Sequence, residues 1–466
     1  MELMKEEAFS EWYHRVLAEA EVIDDRYSIK GMSVYRRWGL SIIRGAQRFL
    51  EGLLEEDGHE PVYFPVLIPE DVLGKETDHI AGFEEQVFWV THAGKNLLDR
   101  RMALRPTSET CMYDMMSLWV RAHTDLPVKI HQSVAVYRYE TKHTRPLIRG
   151  REFLWNEGHT AFASDEEAEE NIQTIKGIYG RLINELLCLP YQVNKRPDWD
   201  KFPGAKYTIA FETLMPDGRT LQVATAHNLG QNFSKVFNIQ FEKEDGTKEF
   251  AYQTSYGPGF GRLLAAVISV HGDEKGMVLP PKIAPLQAVI LPILLKGADK
   301  NEILAYAAKI EKELKSLGVR VKTDDGDEHP GAKHFRWELR GVPVRIEVGP
   351  RDVKAGQVVV VRRDTGEKKP LKASKIKDVL EVFNDIEDNL RVRAQKEFDG
   401  RQYTAETTVE LDEKLGKGIV TIGWCESDEC APEIESKATI LTVTEDKGDC
   451  IVCGKKGQKI RVAKTY

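Results

Sequence analysis

At 466 residues, 41% of them hydrophobic, the chain is too long for one ordinary core and has apolar material for two to four domains. Its formal net charge of -8 argues against indiscriminate nucleic-acid binding but leaves room for a local basic surface that meets a folded RNA. The N-terminus (MELMKEEAFSEWYHRV) is charged and lacks an apolar signal core, and no run reaches the roughly 18 apolar residues of a membrane span, so a soluble, cytoplasmic protein without membrane association is expected.

Val34, Trp38, Ile42, Phe49 and Leu53 fall near helical spacing with arginines elsewhere, predicting an amphipathic helix over 34–53. A Gly58 turn leads to a short apolar run, 62–68, where Pro65 and Pro69 each remove a backbone donor and point to an edge strand or an interface. Arg105-Pro106 breaks the chain before Thr107 and Ser108, both suitable N-caps for an apolar helix over 111–120. Hydroxyls at such a helix start serve capping or ligand binding, and Glu109 complements the helix dipole.

Residues 138–162 form the most informative run, two strand-like segments flanking a basic turn. With period 2, Val134, Val136, Arg138 and Glu140 share one face, as do Phe153, Trp155, Glu157 and His159. Such a face suits a pocket for a flat, anionic ligand, or a surface hairpin with ordinary cross-strand pairs. A helix over 165–189 follows, then strands over 207–211 and 220–225 joined by a Pro216-Asp217-Gly218 turn. Residues 225–230 are expected to leave the sheet, with His227 a structural histidine or a catalyst. The glycine-rich stretch 255–262 (SYGPGFGR) precedes an apolar helix over 263–270. Its glycines would let backbone approach a ligand, and Arg262 would attract phosphate, although neither a Walker lysine nor GxGxxG is present.

The proline-rich stretch 279–285 reads as a domain boundary. Beyond it, apolar strands at 288–293, 319–322, 344–348 and 357–362 alternate with helical segments at 302–317, 333–340 and 375–392, the pattern of an α/β domain. Arg336, Arg340, Arg345, Arg351, Arg362 and Arg363 gather there, suiting RNA or a solvated face. Cys111 and Cys188 read as buried structural thiols. Cys425, Cys430, Cys450 and Cys453, as C-x4-C and C-x2-C, can complete a closed tetrahedral Zn2+ site of structural rather than catalytic kind.

Together, RPTSE (105–109), RYE and REFLWNEGHTAF (138–140 and 151–162), LQVATAHNLGQNFSKVF (221–237), YGPGFGR (256–262), WELRGVPVRIEVGPRD (337–352) and the terminal cysteines resemble the prolyl-tRNA synthetase family of archaeal and eukaryotic type. The resemblance covers nearly the whole chain. It implies an α+β fold: a class II synthetase antiparallel sheet flanked by helices (1–283), an α/β anticodon-binding domain (284–385) and a small α/β zinc-binding domain (386–466). Residues 58–69 match motif 1, which implies a homodimer interface at Pro65. The implied activity joins L-proline to tRNA(Pro) with ATP and Mg2+. A synthetase-like paralogue that binds ATP or amino acid without charging tRNA is the alternative, against which the retained Arg138, Arg262 and Glu109 argue. RPTSE with EGHTAF favours proline over threonine, glycine or histidine.

By match, Arg138 and Arg262 are the catalytic cations on the ATP phosphates, Glu140 and Phe153 meet adenine, and Gln222 and Thr225 belong to the ATP loop. Thr107 and Glu109 receive the prolyl ammonium, with Trp155, Glu157, His159, His227 and Ser255 shaping that pocket. Glu338 and Arg345 match positions that read anticodon bases. One departure is that Gly259, Phe260 and Gly261 stand where the family often carries hydroxyls. The interval 162–255 leaves no room for the editing domain of bacterial-type relatives, so selectivity is expected to rest on the synthetic pocket or on a separate protein.

Overall fold

The computed structural model describes residues 5, 8–75, 86–140, 143–294, 297–427 and 429–466. Helices α1 (Phe9–Glu19) and α2 (Arg37–Glu56) come first, and Ile42, Ile43, Leu50, Leu53 and Leu54 fill the inner face of α2. The helix begins three residues after Val34, because Val34 pairs with Asp24 in a short ladder and is 48% exposed. Of the expected edge run 62–68 only residues 67 and 68 are strand, and the residues just before it pair in a different sheet. β1 (Glu60–Pro61) pairs in parallel with β2 (Val128–Tyr137), whereas Leu67–Pro69 joins a three-stranded sheet with Trp89–Ala93 and Asn96–Leu104. Prolines at 61, 65 and 69 cannot donate to one continuous ladder, so the chain changes partner among them.

Helix α3 (Glu109–Trp119) starts two residues earlier than expected. The predicted hairpin forms as β2 and β3 (Glu152–Ala161), with Val134 opposite Trp155 and Val136 opposite Phe153. Helix α4 (Asp165–Gly180) is capped by Ser164 and Glu167 and continues as a π-helical turn to Leu186. Strands β4 (Gln192–Lys195), β5 (Tyr207–Leu214), β6 (Thr220–Gly230) and β7 (Gln253–Pro258) complete a seven-stranded sheet, ordered β1-β2-β3-β7-β6-β5-β4 and antiparallel except at β1–β2. Helices α4 and α5 (Phe260–His271) pack on this sheet, and α2 packs on both.

Two expectations fail here for one reason, backbone pairing. Residues 225–230 stay in β6, because they bond to β7 on one side and β5 on the other. The glycine-rich stretch 255–262 is strand followed by helix rather than a loop. A Cβ on Gly257 would lie 2.6 Å from the Asn156 carbonyl, and one on Gly261 would lie 2.7 Å from that of Leu147. These glycines therefore admit neighbouring backbone.

A second sheet combines β8 (Ala288–Pro292), β9 (Val321–Thr323), β10 (Val344–Val348), β11 (Gln357–Arg362) and β12 (Lys368–Lys372) in the order β9-β8-β10-β11-β12. Helices α6 (Lys300–Ser316), α7 (Pro330–Leu339) and α8 (Val379–Asp399) accompany it. The proline-rich connection before β8 is packed, with Leu279, Ile283 and Ala284 buried and Arg320 donating to the carbonyls of Pro281, Lys282 and Ala284. The arginine cluster is largely paired within the protein rather than presented to solvent. Arg336 bonds Asp324, Arg340 bonds Glu21, Arg345 bonds Glu338 and Glu347, Arg362 bonds Asp364, and Arg363 bonds Asp273. A final four-stranded sheet joins residues 402–404, 419–424, 456–463 and 439–449 in that order. Among the described residues no helix is long and apolar enough to cross a membrane.

His271 ends α5 buried, its Nε2–H donating to the Leu187 carbonyl at 2.9 Å, and burial lowers its pKa from 6.5 to about 3. As pH falls below 6.5 the unfolded chain binds this proton first, so the associated stability is present above 6.5 and lost toward pH 3. Thermal unfolding between pH 7 and 4 should show a smaller fall in Tm for His271→Gln than for the parent chain. Equal falls would exclude His271 as a titrating group.

Candidate active site

Antiparallel register builds the floor of the site. His159 on β3 faces Ser255 on β7, Ser255 faces His227 on β6, and His227 faces Thr208 on β5. Along β6, Gln222 and Thr225 are three residues apart and would point to opposite faces of a regular strand. A bulge at Val223, where Phe211 pairs with Ala224 and Glu212 with Gln222, restores the phase. Gln222, Thr225 and His227 consequently line the same cavity, of about 470 Å³.

All thirteen residues that the family resemblance assigns to ATP or proline border that cavity. At one part of it, the Arg138 guanidinium lies 5.4 Å from the Phe153 ring centre and 5.5 Å from that of Trp155, and its Nε donates to the Pro106 carbonyl at 3.0 Å. Arg262 is held by the carbonyls of Ile148 and Gln222, each at 3.0 Å. Burial lowers the Arg262 pKa to about 10, and the neighbouring Arg149 and Arg138 push the same way against Glu140. These half-buried cations make the region a strong attractor for an anion with a flat ring.

Another part is acidic. Glu157 is 2% exposed and accepts from the Ser108 amide at 3.1 Å, the Ser108 hydroxyl at 2.5 Å and the Gln132 amide at 2.8 Å. His159 pairs with it through Nε2 at 3.2 Å and with the Tyr113 hydroxyl through Nδ1 at 3.1 Å. Burial alone would raise Glu157 and lower His159, but their mutual bond reverses both shifts, leaving the carboxyl below and the imidazole above its ordinary range. Glu109 bonds the Thr107 hydroxyl, and ligand atoms of Glu109, Glu157 and His159 lie within 4.8 Å of one another. Neither Thr107 nor Ser108 caps α3 through its side chain. Both hydroxyls turn to the carboxylates, because a buried carboxylate left without donors costs more than an uncapped helix end, whose Ser108 amide is itself satisfied by Glu157. Two buried carboxylates beside one imidazole suit a small cation.

Several contributors escaped the sequence reading. Gln132 faces Glu157 across the β2–β3 ladder and lies on the alternation that marked Val134 and Val136, so period 2 could have found it. Tyr113 sits one helical turn beyond Glu109 on α3. Phe202, stacked on His227 with centroids 4.5 Å apart, and Arg149 and Arg196, which also line the cavity, lie outside any periodic pattern. Arg149 additionally reaches the backbone oxygen of Tyr466 at 3.4 Å. Elsewhere, Glu338 and Arg345 form an ion pair at 3.0 Å outside this cavity. The four thiols of Cys425, Cys430, Cys450 and Cys453 converge within 4.8 Å of one another. Cys188 is buried as expected, whereas Cys111 is only partly so, its thiol donating to the Ser108 carbonyl.

Residues 88–271 match the family description "tRNA synthetase class II core domain (G, H, P, S and T)" and residues 287–382 match "Anticodon binding domain". The chain is 49% identical to a proline--tRNA ligase of Pyrococcus horikoshii, over 99% of this chain and 98% of that protein. It is 48% identical to one of Methanopyrus kandleri, over 98% and 96%. Among solved structures, the Giardia lamblia prolyl-tRNA synthetase in complex with prolyl-adenylate superposes with a TM-score of 0.95 at 35% identity, covering 100% of this chain and 99% of that one. The Cryptosporidium parvum prolyl-tRNA synthetase complexed with halofuginone and AMPPNP gives 0.94 at 36%, with the same coverage. With near-half identity along almost its full length, the chain belongs to the prolyl-tRNA synthetase family.

Proposed function

We propose that the chain is a proline--tRNA ligase, which activates L-proline with ATP to prolyl-adenylate and diphosphate and then transfers proline to the 3' end of tRNA(Pro). The observation that carries this reading is one cavity combining a half-buried cation–aromatic region with a buried pair of carboxylates. Relatives bearing prolyl-adenylate and AMPPNP support it. Proline's carboxylate is already ionised at neutral pH, so attack on the α-phosphorus needs alignment and charge neutralisation rather than a base. Arg138 would hold the α-phosphate and Arg262 the far phosphates, with Phe153 and Glu140 against adenine and Gln222 and Thr225 beside them. Mg2+ would neutralise further phosphate charge when bound. Glu109 and Thr107 would receive the prolyl ammonium, in a pocket walled by Trp155, Glu157, His159, His227 and Ser255.

The remaining assignments belong to the same proposal. The chain divides into catalytic (1–283), anticodon-binding (284–385) and zinc-binding (386–466) domains, with Glu338 and Arg345 reading anticodon bases. Such an enzyme works in the cytoplasm. Met115, Leu118 and Trp119 expose one face of α3, Tyr63 and Leu67 are exposed too, and Trp119 lies against Phe64; this apolar surface beside Pro65 suits a homodimer. Zn2+ fits the cysteine cluster. A tetrahedron with Zn–S bonds of about 2.3 Å has edges of about 3.8 Å, and Cys425 and Cys453 stand 3.6 Å apart.

Three outcomes follow. Arg138→Ala should lower proline-dependent pyrophosphate exchange by about 100-fold or more, consistent with losing a preorganised donor, while Tm stays near the parent value; near-normal exchange would reject its role. Glu109→Gln should raise KM for proline about tenfold, as expected for about 1.5 kcal/mol of charge-assisted bonding, and leave KM for ATP within about twofold; equal effects on both would reject the division of the cavity. Cys430→Ser should lose bound zinc in elemental measurements and lower Tm, whereas unchanged zinc content would exclude the four-cysteine site.

A further inference from the structure

A second cavity, of about 560 Å³, lies between α2, the 282–286 connection and the segment that matches the anticodon-binding description. Six cationic side chains and one carboxylate, Glu21, border it. Glu21 is already engaged by Arg36 and Arg340, Lys282 by Glu387, and Arg320 by three carbonyls. Arg37, Arg48 and Lys322 are exposed, and their side chains make no hydrogen bond or ion pair among the described residues. The Nε of Arg340, at the floor between Trp38 and Trp337, is buried without an acceptor. Like charges compound the imbalance: burial and then Arg48 depress the Arg320 pKa. An anion is the missing partner.

The shape indicates which anion. Arg37, Ser41, Gly45 and Arg48 recur at intervals of four, four and three, forming one stripe on α2. The two arginines stand about 16 Å apart along the axis, at about 1.5 Å per residue. Between them a Cβ on Gly45 would meet nothing closer than the Ile283 carbonyl at 4.0 Å, so the floor of the stripe is open. A single phosphate spans only a fraction of that length, whereas a nucleic-acid backbone supplies phosphates in a row. Lys322 extends the positive wall onto the anticodon-binding segment.

We propose that this trough holds consecutive backbone phosphates of the tRNA, so that one stretch of RNA bridges α2 and the anticodon-binding segment. The inference rests on the reading of the chain as a tRNA ligase. Its residues lie outside the ATP and proline cavity, so they act on RNA binding alone.

The test compares the parent chain with the double variant Arg48→Gln/Lys322→Gln, and with Arg48→Lys/Lys322→Arg, which keeps the charges. Pyrophosphate exchange with proline and ATP, without tRNA, should be the same in all three. KM for tRNA(Pro) should rise about threefold to tenfold in the glutamine variant and recover in the charge-keeping one. The log–log slope of tRNA affinity against salt should flatten by about 1.5, close to 0.7 to 0.9 per lost phosphate contact. Each glutamine substitution alone should give roughly half that change in slope, which covers a double variant that folds poorly. Unmoved KM and slope beside normal exchange would overturn the trough and leave the ligase reading standing. Absence of proline-dependent exchange in the parent would instead overturn the ligase reading. Tripolyphosphate binding lost in the glutamine variant, with unchanged tRNA charging, would overturn RNA in favour of a free oligophosphate.

Discussion

In the central sheet, β3, β7 and β6 are hydrogen-bonded neighbours, and strands so paired stand roughly 4.8 Å apart. Antiparallel register therefore sets His159, Ser255 and His227 in one row although they come from distant parts of the chain. The bulge at Val223 is the second half of this constraint, because it turns Gln222 to the face already occupied by Thr225 and His227. A slip of one residue in either ladder would send these side chains into the helices behind. Gly257 and Gly261 guard the arrangement, since a side chain at either would strike the backbone of residues 156 or 147.

Upon that frame the protein holds unlike charges in adjoining regions of one buried cavity. A buried carboxylate such as Glu157 is tolerable because protein donors satisfy it and His159 offsets it. Arg262 is held by carbonyls, which orient it without neutralising it. Glu109, Glu157 and Glu140 act on Arg138 as well, so the cationic and acidic parts are coupled through it. A triphosphate beside an ammonium amino acid would match that arrangement of charge. The same logic of orientation without neutralisation recurs in the basic trough beside α2, where Arg320 is spent on carbonyls rather than carboxylates.

Local pattern identified the elements better than their partners. The period-2 alternation on either side of residues 141–150 located the β2–β3 hairpin and its functional face, because alternation is a property of one strand. Helical spacing located α2, α4 and α5 with ends displaced by a few residues. Glycines and prolines misled where their effect depended on a neighbour: 255–262 looked like a ligand loop and is a strand–helix junction, and 62–68 looked like one strand, of which only residues 67 and 68 are in a sheet. The arginines near residues 336–363 looked like a free basic surface, but their acidic partners come from elsewhere in the chain, including Asp273 and Glu21.

By itself the sequence determined the α+β class, the family through its ordered motifs, and thirteen of the side chains that border the cavity over the central sheet. Those follow from residue type and from spacing within short segments. Tertiary structure alone decided which hydroxyls serve Glu157 and Glu109 instead of capping α3, that Phe202 stacks on His227, and that Val223 is bulged. It alone set Arg37 and Arg48 on α2 and Lys322 around one trough, their side chains making no ion pair among the described residues. Such outcomes depend on register and on competition among distant groups for a limited set of partners, and neither is encoded in the periodicity of any single segment.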